Sequence, residues 1–227
     1  MKVLIMILCL SLYTQADSAN KHLQYEGVTT TYQDKEIFIK RLKHPKCLKV
    51  GVTPENIFGG DLVGKEVPKE CQKNFIVSLG VVQPMHLDKE VRTVGELEVL
   101  KILQLLDFEP EKYILVDARG EHWFEKITIP HAINIPKKHL IPDADFPDDF
   151  DDAMHKLGIK KDKKGKLDFS KAKEAIIFCN GAWCTQSAKM IGQLISLGYP
   201  KGKLLWYRGG LQDWISMGFT TSKGVTH

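Results

Sequence analysis

The sequence is short of the features that mark several common protein classes. Five cysteines in 227 residues are too few for a disulfide-dense miniprotein. No Gly-rich nucleotide loop is present, and no His, Cys or carboxylate spacing suits a metal; Cys179 and Cys184, four residues between them and no His pair nearby, make a poor zinc site. The excess of 32 Lys and Arg over 28 Asp and Glu gives a net charge of only +4, spread evenly, which argues against nucleic acid as a partner. Long apolar runs are missing too: the only marked one is Val3 to Tyr13, far short of the roughly 20 residues a spanning helix needs. What remains is a composition ordinary for a globular protein, with 43% hydrophobic and 26% charged residues. At about 100–200 residues per domain, the length fits one domain with a small addition.

The apolar run at the N-terminus follows Lys2 and is followed by small residues at Ala16, Ser18 and Ala19. A basic start, a compact apolar centre and small residues at the end read as a secretory signal peptide over residues 1–19. Leu8 before Cys9 is too large for a lipoprotein site. The expected product is periplasmic or secreted, with no membrane span after signal removal. Losing Cys9 leaves Cys47, Cys71, Cys179 and Cys184, an even number that suggests pairing in an oxidising compartment. A Cys47–Cys71 disulfide would close a loop of about 25 residues and contribute roughly 3 kcal/mol on the chain-entropy model; two separate buried thiols are the alternative.

Residues 20–88 carry turn signals such as Gly59-Gly60-Asp61 and short β-like pieces such as Phe75-Ile76-Val77, and no readable motif. They are an N-terminal extension of unread role. From residue 89 to 227 the pattern becomes regular. Thr93 and Glu96 resemble a capping box ahead of a helix bearing Leu97, Leu100 and Leu103. Buried strands are expected at Tyr113 to Arg119, His131 to Pro136, Glu174 to Cys179 and Leu204 to Tyr207. An acidic stretch from Asp143 to Asp152 leads towards a short helix, and Lys160 to Lys166 reads as a solvated loop. Ser187 to Leu197 is an amphipathic helix ended by Gly198, and Leu211 to Met217 a short last one. Strands alternating with helices imply an α/β domain with a mainly parallel central sheet flanked by helices.

The chemistry concentrates in AIIFCNGAWCTQS, where a strand runs into Cys179, a loop follows, and a helix begins near Ser187. Ligands of open parallel sheets bind at the carboxyl ends of strands. There the loop N–H groups and the positive end of the following helix favour an anion, and both lower a thiol's pKa. A thiolate in such a cradle suits attack on the outer sulfur of thiosulfate or on a phosphate.

From about residue 90 to 220 the chain resembles the rhodanese family of sulfurtransferases. The resemblance rests on LVDAR at 115–119, TIPHAINIP at 128–136, IIFCNG at 176–181 and YRGGLQDWISMGF at 207–219, in that order. It implies a persulfide on Cys179 and no cofactor. The implied donor is a small sulfur-containing anion and the implied acceptor a thiol or a cyanide-like nucleophile, with a periplasmic partner protein as a further expectation. Candidate substrate contacts are Asn180, Gly181, Ala182, Trp183, Cys184 and Thr185 in the loop, together with Arg119 and Arg208. The plainer reading of Asp117, Arg119 and Arg208 is structural bracing. Trp183 either walls the pocket or packs, Trp214 is core, and His122 and Trp123 border the site.

Three departures from the family pattern carry weight. Thr128 and His131 stand where many members have His and Gly, so neither is given a catalytic role. Ser187 lies eight positions after Cys179, two beyond the usual spacing, with no Arg or Lys between. Thr185 occupies the position where a phosphatase relative needs its phosphate-clamping Arg, which argues against phosphatase chemistry. The second loop cysteine resembles an exported subgroup. Cys184 is either a resolving thiol for Cys179 or a packed bystander. Three functions follow: sulfurtransferase, thiol–disulfide redox protein or sulfur carrier, and non-catalytic binding module.

Overall fold

The computed structural model describes residues 27–40, 80–142 and 145–225. The signal segment, Cys9, Cys47, Cys71 and the Phe75 to Val77 piece lie outside the described residues.

A β-hairpin comes first, β1 (Gly27–Tyr32) against β2 (Lys35–Lys40), antiparallel with Tyr32 opposite Lys35. Its two turn residues, Gln33 and Asp34, both have positive φ, the conformation that matches the strands' right-handed twist. Next come β3 (Arg92–Val94), α1 (Glu96–Leu106), β4 (Tyr113–Asp117), α2 (Glu121–Lys126) and β5 (Ile133–Asn134). Then follow α3 (Pro147–Lys156), a small antiparallel pair β6 (Lys160–Lys161) and β7 (Leu167–Asp168), β8 (Glu174–Phe178), α4 (Gln186–Leu197), β9 (Leu204–Tyr207) and α5 (Gly210–Ser216).

Five strands form one parallel sheet in the order β3-β9-β8-β4-β5. Both faces are covered, which is why the central strands are apolar throughout and not alternating. Ile114 and Val116 of β4, Ala175 and Ile177 of β8, and Trp206 of β9 pack on one face with Met190, Ile191 and Leu194 of α4 and Met154 of α3. Leu115, Ile176, Phe178, Leu205 and Tyr207 point the other way, onto Val99, Leu100 and Leu103 of α1 and Trp214 of α5. The period-two side-chain alternation thus builds two cores from the same strands.

The structure corrects one cap. Thr93 lies in β3 opposite Trp206, and its hydroxyl donates to the Met85 carbonyl. Helix α1 begins at Glu96, with Gly95 as its N-cap and the Glu98 carboxylate accepting the Gly95 N–H at 2.9 Å. An edge strand three residues long is too short to show a period, so it merged with the helix signal. The second expected strand contracts to Ile133–Asn134, and the Lys160–Lys166 stretch contains β6 and its turn around Asp162.

The hairpin belongs to the second core: Val28 and Ile39 are buried against α1. Thr30 Oγ1 donates to Asp107 Oδ1 at 2.9 Å and lies 2.7 Å from His131 Nε2, while the Thr31 N–H donates to Asp107 at 3.0 Å. Burial pulls the His131 imidazole below its ordinary value, against the nearby Asp107 carboxylate, so the neutral ring is the form held there. This contribution is complete above the unfolded pKa of about 6.5 and is lost as pH falls through the lower folded-state value, because the unfolded chain takes up the proton first. Urea unfolding should therefore show a steeper loss of stability from about pH 7.5 to 5.5 in the wild type than in His131→Asn. Equal slopes would contradict this reading.

Candidate active site

Cys179 is the first residue past β8, at the carboxyl end of the sheet's central strand, and is 1% exposed. Its sulfur is bonded to that of Cys184, across a Cα–Cα distance of 6.2 Å that is ordinary for a disulfide. The two cysteines therefore close the loop that carries residues 180–183. Cys184 is 7% exposed.

The loop has a fixed polarity. The Cys179 carbonyl accepts from Leu211 N–H and the Asn180 carbonyl from Gln212 N–H, both on α5. The Gly181 carbonyl accepts from Cys184 N–H, the Ala182 carbonyl from Gln83 N–H and the Trp183 carbonyl from Val81 N–H. Five consecutive carbonyls are thus engaged. The N–H groups of residues 180–183 donate to no described residue. A run of amide donors with no described partner, followed by a helix N-terminus, is the kind of arrangement that favours an anion. Helix α4 adds its first-turn N–H groups, since Thr185 at the N-cap makes no side-chain capping bond.

Other contacts fix the side chains around this loop. Asp117 and Arg119 are fully buried and paired, with Arg119 Nε 2.9 Å from Oδ1 and Nη2 2.6 Å from Oδ2. Arg119 also donates to the Ile127 carbonyl and, through Nη1, to Asn180 Oδ1 at 3.0 Å. Thr128 Oγ1 donates to Asp117 at 2.8 Å. The guanidinium is thus occupied in holding the start of the loop. Ser187 is buried and accepts from Trp206 Nε1 at 3.0 Å, so its hydroxyl anchors α4 on the sheet.

Arg208 reaches away from the loop interior. Its Nη2 donates to the Gln83 carbonyl at 2.8 Å and its Nε to the Pro84 carbonyl at 3.0 Å. It thereby clips residues 81–85 across the loop as a strap, whose backbone pairs with Ala182 and Trp183 while Val81, Val82 and Met85 stay exposed. A side chain at Gly80 would meet Trp183 Cβ at 2.7 Å, so the strap's entry also needs glycine. On the other side, Trp183 Nε1 donates to Gln212 Oε1 of α5 at 2.7 Å. His122 and Trp123 are exposed on α2, with ring centroids 5.6 Å apart, and Lys189 is exposed on the first turn of α4. The strap had no sequence signal: its outward side chains show no period, and its bonds are backbone bonds.

Two open clefts lie elsewhere, one lined by residues including His86, Asp88 and Arg92, the other by residues including His131, His139 and Asp149. Neither is lined by residues 179–185. Among the described residues, no cluster of three or more His, Cys, Asp or Glu is placed to hold a metal, and no helix is long and apolar enough to cross a membrane.

A family model described as a rhodanese-like domain matches residues 101–217. Among solved structures, the chain is similar to the BH2092 protein from Bacillus halodurans, at 22% identity and a TM-score of 0.42 over 59% of this chain and 78% of that one. It is similar to a thiosulfate sulfurtransferase from Pseudomonas aeruginosa, at 18% identity and a TM-score of 0.39, over 61% of this chain and 21% of that longer one. A structure of rhodanese with anions from E. coli matches at 22% identity and a TM-score of 0.32, over 49% of this chain and 99% of that one. No curated protein matches the chain by sequence.

Gly210 sets the loop's position. Its φ is +59°, and an added Cβ would lie 2.3 Å from the Cys179 carbonyl oxygen and 3.0 Å from the Gly181 nitrogen. Gly210→Ala should cost about 2 kcal/mol or more in denaturant unfolding, because both the backbone and the loop must shift. Gly192→Ala, on α4 with open space around it, should instead stabilise by about 0.5–1 kcal/mol. A neutral Gly210→Ala would show that the loop is not seated on that turn.

Proposed function

This chain belongs to the rhodanese-like family, and from that premise we propose that it is an exported sulfurtransferase whose Cys179 carries sulfane sulfur from a thiosulfate-like donor to a thiophilic acceptor. The observation that carries the reading is the loop's polarity: carbonyls 179–183 each accept a hydrogen bond, and the N–H groups of residues 180–183, next to the cysteine in the chain, donate to no described residue. Donors arranged in advance stabilise both a thiolate and the oxyanion of a departing group.

The reaction needs the bridge open. With Cys179 as thiolate, its sulfur attacks the outer sulfur of thiosulfate; the S–S bond of the donor breaks, and sulfite leaves with the bonding pair. Cys179 then bears a persulfide anion. A nucleophilic acceptor attacks the terminal sulfur and Cys179 returns as thiolate, so the cycle is covalent, ping-pong and free of cofactor. Where no acceptor is present Cys184 takes the resolving role: its thiolate attacks Cys179 Sγ, expels the outer sulfur as hydrosulfide and restores the disulfide, a step that excess hydrosulfide drives in reverse.

Mass spectrometry of reduced protein treated with thiosulfate should show one added sulfur on Cys179. Cys179→Ser should lower transfer to the uncatalysed background, and Cys184→Ser should still load. Absence of the added sulfur in the reduced wild type would overturn the reading. For export, N-terminal sequencing of secreted protein should begin near Asn20, and an intact Met1 on protein outside the cytoplasm would contradict the signal.

The disulfide supports a second reading, a thiol–disulfide exchanger cycling between the closed bridge and a dithiol. Titration of free thiols in freshly purified protein separates the two. A bridge that reopens reversibly with a partner dithiol, on a protein that never loads sulfur, identifies the exchanger.

A further inference from the structure

The closed bridge has a consequence for the sulfur source. While Cys179 is bonded to Cys184 it has no thiolate, so it cannot attack thiosulfate. A disulfide is instead an electrophile, attacked by thiolate-like nucleophiles. Resting on the sulfurtransferase reading above, we propose that the Cys179–Cys184 bridge takes up sulfur directly from hydrosulfide, making this loop a site that oxidises sulfide to a protein persulfide.

One feature selects hydrosulfide over bulkier thiols, and two favour the reaction itself. The first is size. Cys179 and Cys184 are 1% and 7% exposed, with the 81–85 strap bonded along one side of their loop and Gln212 of α5 holding Trp183 on the other. Hydrosulfide is one heavy atom, whereas a cysteine thiol brings its backbone with it. The second is charge. Hydrosulfide is an anion, and the N–H groups of residues 180–183, which donate to no described residue, and the start of α4 favour one. The third is the product: the same donors hold the terminal anion of the persulfide that forms on Cys179.

The step balances. Hydrosulfide sulfur bonds to Cys179 Sγ, the Cys179–Cys184 bond breaks, and Cys184 leaves as a thiolate with the bonding pair. The incoming sulfur is oxidised by two electrons, and the disulfide is reduced by the same two. Its proton passes to solvent. A sulfite- or thiol-class acceptor then removes the sulfane sulfur, leaving two reduced cysteines, and a disulfide-bearing oxidant in the same compartment restores the bridge.

The test uses full-length mature protein purified without reductant, sodium sulfide and glutathione as probes, and iodoacetamide to trap the products. The peptide spanning residues 174–189 should acquire a trapped persulfide on Cys179 and a trapped thiol on Cys184. Relative to the same protein unfolded in urea, folding should raise the ratio of sulfide to glutathione reactivity by about tenfold or more. Cys184→Ser, which has no bridge, should take sulfur from thiosulfate and none from sulfide. Persulfide on Cys184, or a reactivity ratio unchanged by folding, overturns the proposal. So does failure of the oxidised protein to take sulfide while the reduced protein loads from thiosulfate, and that outcome leaves the sulfurtransferase reading standing. Failure of both loadings removes both.

Discussion

Five backbone carbonyls in a row, from Cys179 to Trp183, are tied by hydrogen bonds to α5, to the 81–85 strap and to the loop itself. That commitment decides the electrostatics at the end of β8. A peptide unit whose oxygen already holds a donor keeps its N–H for something else, and in four such units in succession the N–H groups donate to no described residue. Between Cys179 and Ser187 the chain carries no Arg or Lys. Basic side chains nearby are used differently: Arg119 neutralises buried Asp117 and steadies Asn180, and Arg208 fastens the strap.

The supporting structure follows from the same loop. Because the loop leans on α5, Gly210 must be glycine; because it also leans on the strap, residues before β3 become part of the site. The buried Asp117–Arg119 pair is unlike a surface ion pair, since removing one partner would leave the other charged in a dry setting, a loss of about 3–5 kcal/mol in comparable cases. The same pair joins the end of β4 to the end of β8, the two strands whose carboxyl ends flank the site.

Much of this was legible in the sequence, for physical reasons. Strands such as Leu204–Tyr207 and Tyr113–Asp117 are buried on both faces, so their apolar runs stand out, and Gly198 marks the end of α4 with a positive φ. The 179–184 loop stands out in the sequence because a buried strand runs into Cys179 with a glycine two residues on. Other parts were not. The hairpin turns on Gln33-Asp34 in place of an Asn-Gly signal, β3 spans only three residues, and the strap is bound through its backbone. The cap falls on Gly95, which has no side chain to signal it, while the Thr93 hydroxyl that suggests a cap serves the Met85 carbonyl. Whether Cys179 and Cys184 pair was open from spacing alone, because a loop of this length permits but does not require the approach.

Opening the bridge leaves the Cys179 sulfur free to ionise. The rate of iodoacetamide alkylation of Cys179 in reduced Cys184→Ser protein, followed against pH, reports that group's pKa directly. Open amide donors and the start of α4 predict a value well below the roughly 8.5 of a free cysteine. A midpoint at or above that value would mean that burial outweighs the donors, and that the loop does not activate its cysteine.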